Sequence, residues 1–253
     1  MLLQALPAFA DNYIWTLADD AGRGVVIDPG QAHPVLRAAD AGLQPVAILL
    51  THHHADHIGG TAALLQRWPG LPVFAPNDDR IDLPCRRVAD GDDVDLGDWR
   101  FRVLQIPGHT HSHIAFVGHG HLFCGDTLFS LGCGRMFEGT AAQMLASLDT
   151  LAALPPSTRV CCGHEYTVAN AAFARVVDPD NPALRRRTEE ATAMRDDDRP
   201  TLPSLLGDEL AANPFLRVDS PAVRDAVARH RGREASDRVE TFAALRSWKD
   251  GFA

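Results

Sequence analysis

A chain of 253 residues with 45% apolar and 23% charged content has material for a full hydrophobic core, as one large domain or a large one plus a smaller one. Its formal net charge of −9 speaks against nucleic acid as the main partner, because that binding rests on neutralising phosphates, and any anionic ligand needs a local basic cluster. Residues 1–11 lack a basic start and break at Pro7, no apolar run is long enough to span a bilayer, and five cysteines without paired spacing read as reduced thiols, so a cytoplasmic protein without membrane association is expected.

In chain order, residues 1–30 read as two short strands, around 14–17 and 25–27, joined by a turn at 19–22. Asp28-Pro29-Gly30 ends the second strand, and residues 34–42 form a short helix closed by Gly42. The apolar run at 46–50 is a buried-strand candidate. It feeds directly into Thr51-His52-His53-His54-Ala55-Asp56-His57-Ile58-Gly59-Gly60, with a helix following to about 68 and a strand at 72–75. Residues 77–100 are acidic and turn-rich, with a strand around 99–106. From about 167 the alternating strands give way to helical stretches punctuated by Asp178-Pro-Asp-Asn-Pro182, Arg199-Pro200 and Asn213-Pro-Phe. Ser220-Pro221 has the form of a helix start, with Ser as N-cap and Pro at the first helical position. Ser236 similarly precedes a last helix that runs to about 249.

Four imidazoles and one carboxylate within six positions are what a borderline divalent ion takes as ligands. Along an extended chain His52 and His54 fall on one side and His53 on the other. A turn at Ala55 would bring Asp56 and His57 round to the same cavity. The bland alternative is a polar loop that is merely rich in histidine. Three later junctions repeat the pattern of an apolar run ending in a potential ligand beside glycine: Val103-Leu-Gln-Ile-Pro-Gly108 delivers His109, Leu122-Phe-Cys-Gly125 delivers Asp126, and Val160-Cys-Cys-Gly163 delivers His164. Strand ends converging on one edge would gather His52, His54, Asp56, His57, His109, Asp126 and His164, enough for two metal ions with one carboxylate left to bridge them. The alternation that includes His111 and His113 is what one face of a strand beginning at Thr110 produces. His33, His119, His121 and His230 are isolated, with structural or solvated roles expected. On the last helix Arg246 and Lys249 are three apart and share a face, and Lys249 is the only lysine in the chain.

These residues carry a resemblance. The Thr51–Gly60 motif with Pro-Gly-His109-Thr, Gly-Asp126-Thr-Leu-Phe and Gly-His164-Glu-Tyr is similar to the metallo-β-lactamase fold. Ala10-Asp-Asn-Tyr-Ile-Trp15, Gly132-Cys-Gly-Arg-Met-Phe-Glu-Gly139, Asn213-Pro-Phe-Leu-Arg217 and Leu245-Arg-Ser-Trp-Lys-Asp250 extend it to the glyoxalase II (hydroxyacylglutathione hydrolase) family over nearly the whole chain. The resemblance implies an α/β protein, a four-layer αββα sandwich over residues 1–166 with a helical substrate-binding domain over 167–253. It implies hydrolysis of S-D-lactoylglutathione to D-lactate and glutathione by a hydroxide shared between two divalent ions, zinc in first place, with iron or manganese as alternatives. By motif position, His52, His54 and His109 would hold the first ion and Asp56, His57 and His164 the second, with Asp126 bridging and Asp56 helping to orient the hydroxide. Arg135, Phe137, Tyr166, Arg246 and Lys249 would bind the glutathione moiety, and the protein would act as a monomer. Arg135 and Phe137 replace the family's usual Lys and Tyr, which keeps a charge and loses a hydroxyl, and Ser112 replaces a usual Gly.

The chemistry is coherent with that implication. Paired ions lower the pKa of a shared water and polarise a thioester carbonyl, and a thiol with a pKa of about 8.5 leaves without a separate general acid. The alternatives are another hydrolase of the fold, such as a lactonase or broad thioesterase, a one-iron sulfur dioxygenase, or a metal-binding module without turnover.

Overall fold

The computed structural model of the protein, which describes residues 1–252, begins with an edge strand that the sequence conceals. Strand β1 (Leu2–Ala8) pairs antiparallel with β2 (Asn12–Ala18), Leu2 opposite Ala18. Pro7 cannot donate to a ladder and so argues against a strand, but an edge position tolerates it. Every residue of β2 is buried. A turn in which Asp19 accepts from the Ala21 and Arg23 amides leads to β3 (Arg23–Ile27), again antiparallel.

The connections then change character. Helix α1 (Ala32–Asp40), β4 (Gln44–Leu49), the single turn α2 (Ala55–Ile58), α3 (Thr61–Arg67), β5 (Val73–Pro76) and β6 (Arg86–Val88) follow in order. β4, β5 and β6 run parallel to β3 and to one another, giving a sheet ordered β1-β2-β3-β4-β5-β6. Ile14, Val26, Val35, Ile48, Leu64 and Val73 belong to the core that packs its helices. Because β3 and β4 are parallel with Ile27 opposite Leu49, Asp28 and the loop after Leu50 emerge from one edge of the sheet.

A second, antiparallel run follows: β7 (Asp93–Asp95), β8 (Arg100–Gln105), β9 (Ile114–Gly118) and β10 (His121–Gly125), each paired with the next. β8 buries Phe101 and Val103 and exposes Arg100 and Arg102, the alternation of a sheet with one wet face. Residues 161–165 return to this part of the chain: Gly163 N–H donates to Gly125 O at 2.9 Å, Tyr13 N–H to Gly163 O at 2.8 Å, and Trp15 Nε1 to Cys162 O at 2.8 Å.

The chain forms two compact units that are discontinuous in sequence. Met1–Gln105, Ser112–Gly125 and Cys161–Glu165 make the first, while Ile106–His111, Asp126–Val160 and the chain from Tyr166 onward make the second. The second unit holds the hairpin β11 (Leu128–Phe129) and β12 (Gly132–Cys133), then α4 (Ala141–Ala152). Strand β13 (Arg159–Cys162) begins here, its first two residues pairing with β14 (Ser204–Leu205). Between them lie α5 (Thr167–Val177) and α6 (Pro182–Asp196), and after them α7 (Leu206–Ala212), a 3₁₀ turn at Pro214–Leu216, α8 (Pro221–Arg231) and α9 (Arg238–Asp250). Phe173, Phe215 and Phe242 are fully buried and touch ring to ring, with Trp248 against Phe173.

The α/β class with a helical C-terminal part is therefore as expected. The helix start at Ser220 was also legible, since it caps α8 ahead of Pro221; Asn181, read in the sequence only as part of a turn, caps α6 ahead of Pro182. The last helix is capped one residue later than expected, by Asp237, whose carboxylate accepts from Glu240 N–H at 2.8 Å. Residues 109–113 form a loop rather than a strand, and β9 starts only at Ile114. Among the described residues no helix is long and apolar enough to cross a membrane and no disulfide is formed.

Candidate metal centre

Asp28 organises the edge where β3 and β4 end. It adopts a left-handed backbone conformation (φ 51°), which is uncommon outside glycine and tolerated best by Asp and Asn. Its Oδ1 accepts from Thr51 N–H at 2.8 Å, while Oδ2 accepts from Thr51 Oγ1 at 2.6 Å and lies 3.0 Å from His57 Nδ1. Thr51 Oγ1 is in turn 3.0 Å from His52 Nδ1. A carboxylate can only accept, so His57 carries a proton on Nδ1 and turns Nε2 the other way.

The same device recurs at His164. Its Nδ1 lies 2.8 Å from Asp11 Oδ1, which leaves Nε2 to face the same way as that of His57. Asp56 Oδ2 stands 3.5 Å from each of those two Nε2 atoms and is held by Asn12 Nδ2 at 2.9 Å. The single turn α2 sets Asp56 and His57 side by side at its start. Gly30 permits this, since a Cβ there would lie 1.8 Å from Asp56 O. One ligand atom from each of Asp56, His57 and His164 lies within 4.8 Å of the others, and the same holds for Asp28, His52 and His57. Two imidazole nitrogens and a carboxylate oxygen suit a borderline divalent cation; Asp28, already committed to three donors, supports rather than ligates. In the adjoining pair, His52 Nε2 is 3.1 Å from His54 Nδ1.

His53 points elsewhere, with Nδ1 3.5 Å from Asp78 Oδ2. Asp78 also takes the Arg80 guanidinium at 2.8 Å and the Ser112 hydroxyl at 2.5 Å, and the Arg80 guanidinium holds its carboxyl well below the usual range. Ser112 thus has a structural partner that its sequence gave no hint of. His113 is buried and stacks on His52 with centroids 4.5 Å apart, whereas His111 is exposed. Of the four isolated histidines, His119 accepts from Arg100 N–H, His121 stacks on Phe123 and His230 stacks on Trp248 at 4.1 Å, while His33 is exposed.

In the second unit His109 and Asp126 meet, with Nε2 3.5 Å from Oδ2. His109 Nδ1 lies 2.8 Å from Arg135 O, so a backbone carbonyl does here what Asp28 and Asp11 do for the other two rings. Gly134 is required beside it, because a Cβ would fall 1.9 Å from Asp126 O. The Arg135 side chain is exposed, 3.6 Å from Asp250 Oδ1. Phe137 is 64% exposed and meets the His109 ring edge to face, with centroids 5.2 Å apart. Tyr166 sets its ring against Phe129 at 5.3 Å. Lys249 Nζ sits over the rings of Phe173 and Phe252 at 5.5 and 5.7 Å. Burial, then the like charges of Arg246 and Arg135, hold its ammonium below the usual lysine range.

Arg246, expected at the glutathione moiety, is enclosed by protein. Only 4% exposed, it donates from one terminal nitrogen to Cys133 O at 2.7 Å and from the other to Asp250 Oδ1 at 3.0 Å, while its guanidinium lies over Phe215. Both terminal nitrogens are committed inside the protein, so it braces the segment that carries Arg135.

Sequence reasoning missed Asp11, Asn12 and Asp28. Asp28 had a signal: Val25-Val-Ile-Asp28-Pro-Gly30 repeats the pattern of an apolar run, a polar residue and glycine seen at the other junctions. Asp11 ends a short turn and Asn12 opens β2; both stand in the Ala10–Trp15 segment that carries the resemblance, but nothing in their spacing marked a role for either.

Known proteins match the chain along its whole length. Residues 12–164 match the metallo-β-lactamase superfamily, and residues 165–252 match the hydroxyacylglutathione hydrolase C-terminus. The chain is 62% identical over 253 residues to a hydroxyacylglutathione hydrolase of Xanthomonas euvesicatoria pv. vesicatoria, covering 100% of this chain and 99% of that one. It is 59% identical over 252 residues to the hydroxyacylglutathione hydrolase of Xylella fastidiosa strain M23, covering 100% and 98%. Among solved structures it resembles the BLEG-1 B3 metallo-β-lactamase with a TM-score of 0.65 at 23% identity, over 85% of this chain and 99% of that one, a likeness of fold alone.

Proposed function

Since the chain belongs to the hydroxyacylglutathione hydrolase family of the metallo-β-lactamase superfamily, we propose that it hydrolyses S-D-lactoylglutathione to D-lactate and glutathione. In this reading His52, His54 and His109 hold one divalent ion, Asp56, His57 and His164 hold a second, and Asp126 bridges. Zinc suits the imidazole–carboxylate set best, with iron or manganese as alternatives. When bound, such a pair supplies a Lewis acid for the thioester carbonyl and lowers the pKa of a bound water.

The observation that carries the reading is the fixing of three rings from behind. Asp28 holds His57, Asp11 holds His164 and the Arg135 carbonyl holds His109, each through Nδ1. Imidazoles whose far nitrogens are tied in this way are held in one orientation with Nε2 turned outward, and lose less orientational freedom when a cation arrives. Asn12 does the same for Asp56, which is placed to orient the attacking water.

For the substrate, Arg135 and Lys249 offer cationic groups to a glutathione carboxylate. Phe137 covers the path with an apolar ring and contributes no hydroxyl, while Tyr166 follows the His164 loop and supplies one. Arg246 acts behind them. The departing thiolate is stable enough to leave without a general acid. The five unpaired-spacing cysteines support a reducing compartment, the cytoplasm, and all proposed ligands coming from one chain supports action as a monomer.

The test is elemental analysis beside hydrolysis of S-D-lactoylglutathione and of a thioester lacking the glutathione carboxylates. About two metals per chain, preference for the glutathione thioester, and loss of both metal and activity in Asp126→Ala are expected. Equal turnover of both thioesters makes the enzyme a broad thioesterase; full activity in Asp126→Ala removes the ligand assignment.

A further inference from the structure

The hairpin of β11 and β12 carries reactive groups at its base and a dense polar clamp at its tip. At the base, Asp126 precedes it and Arg135 follows it. Leu128 pairs with Cys133, Gly134 N–H donates to Thr127 O at 3.1 Å, and Arg135 O takes His109 Nδ1. At the tip, Leu131 is held in a left-handed conformation, φ 59°, which a leucine adopts only when its surroundings insist on it.

Those surroundings are helical side chains. Asn213 Nδ2 donates to Phe129 O at 3.0 Å and to Gly132 O at 2.9 Å, joining the two strands across the turn. Glu209 Oε2 accepts from Leu131 N–H at 2.8 Å and lies 3.3 Å from Asn213 Nδ2. Asn170 Nδ2 donates to Ser130 O at 3.1 Å, and Arg187 reaches Ser130 Oγ and Thr201 O. Glu209 is completely buried and forms no direct ion pair within 4.0 Å among the described residues. An apolar side chain would be the cheaper way to fill that space, so a carboxyl there calls for a purpose. Burial pushes it up from its ordinary range, against the pull of the Leu131 amide.

We propose that Glu209 and Asn213 are positioning residues of the reaction, locking the tip of the hairpin and thereby fixing Asp126, Arg135 and the Arg135 carbonyl that orients His109. The proposal rests on the reading above, in which Asp126 and His109 hold metal and Arg135 meets substrate. Neither Glu209 nor Asn213 touches a ligand. They act through a turn of four residues whose every peptide from Phe129 to Cys133, except that between Leu131 and Gly132, is gripped through a carbonyl or an amide.

The test compares the full-length metal-loaded protein with Glu209→Ala, Glu209→Gln and Asn213→Asp. Amide hydrogen exchange at Leu131 and Gly134 reads the hairpin without substrate, metal retained after dialysis reads Asp126 and His109, and kcat and KM are measured separately. Glu209→Ala is expected to speed exchange at both amides, to retain less metal, and to lose roughly tenfold in kcat/KM, the scale of leaving one buried donor unsatisfied. Glu209→Gln still offers an oxygen to Leu131 N–H and is expected to restore all three readouts to within about threefold. Should Glu209→Ala fail to fold, Asn213→Asp carries the same expectation, because it keeps the oxygen that caps Phe215 N–H and removes both donors. A folded Glu209→Ala with wild-type metal retention, kcat and KM overturns the clamp, even if it melts earlier. A wild type lacking metal or thioesterase activity instead sinks the proposed function, so the two failures are distinguishable.

Discussion

His57 Nδ1 and Asp28 Oδ2 lie 3.0 Å apart, with side chains only 2% and 4% exposed, joining the ends of two parallel strands. The same Asp28 carboxylate closes on the amide and hydroxyl of Thr51. One buried group therefore sets both the loop that starts the histidine motif and the tautomer of a ring near its end.

Asp28→Ala leaves three buried donors without an acceptor. Metal affinity is expected to fall about 10- to 100-fold, as for other groups that orient ligands from behind. Folding stability should fall on the order of 3 kcal/mol, from donors left unsatisfied away from water. Competition with a chelating dye and urea unfolding read the two effects. Wild-type metal retention in a folded Asp28→Ala protein would show that His57 is aimed by something else.

Arg135→Ala and Lys249→Ala are each expected to raise KM for the glutathione thioester roughly tenfold while kcat moves little, since uniform binding is what they provide. Arg246→Ala should behave differently. Its guanidinium is spent on Cys133 O and Asp250, so a loss of about 3 kcal/mol in stability accompanies any change in KM. Thermal melting run beside steady-state kinetics separates the cases. An Arg246→Ala variant with unchanged melting and a raised KM alone would return Arg246 to direct substrate contact.

Glu209 gives a pH signature. Its folded pKa lies above the ordinary 4.5 because burial disfavours the charged form. As pH rises through the ordinary value the unfolded chain releases this proton while the folded chain keeps it, so the folded state binds more protons and stability falls across that window. The stabilisation is complete below the unfolded pKa and lost by the folded pKa. Glu209→Gln is expected to flatten this component in urea unfolding measured from acid to neutral pH. Identical slopes for the two proteins would mean that the carboxyl is already ionised in the fold.

Much of this was readable along the chain, for reasons that can be located. The runs before Asp28, Thr51, Asp126 and His164 are short and apolar, and the structure makes strands of them because burial on both faces selects such runs. β1 stayed hidden because Pro7 and its exposed residues carry no apolar alternation, and its pairing with β2 comes from the partner. β6 and β7 are three residues each, below the length at which periodicity can be seen. Residues 109–113 alternate as a strand would, yet form a loop; a period of two in five residues does not specify extended pairing.

By itself, the sequence determined which chemistry was on offer: a dense set of imidazoles and carboxylates at strand ends, one lysine and two arginines in segments that match a known family. Ligand type and local periodicity are properties of neighbouring residues and survive in one dimension. Only the tertiary structure decided which nitrogen each ring presents, because that depends on Asp11, Asp28 and the Arg135 carbonyl, from 26 to 153 residues away along the chain. It also decided that Arg246 is a buried brace while Arg135 remains exposed. A charge is written in the sequence, but whether water or a carbonyl surrounds it is settled only when distant segments pack.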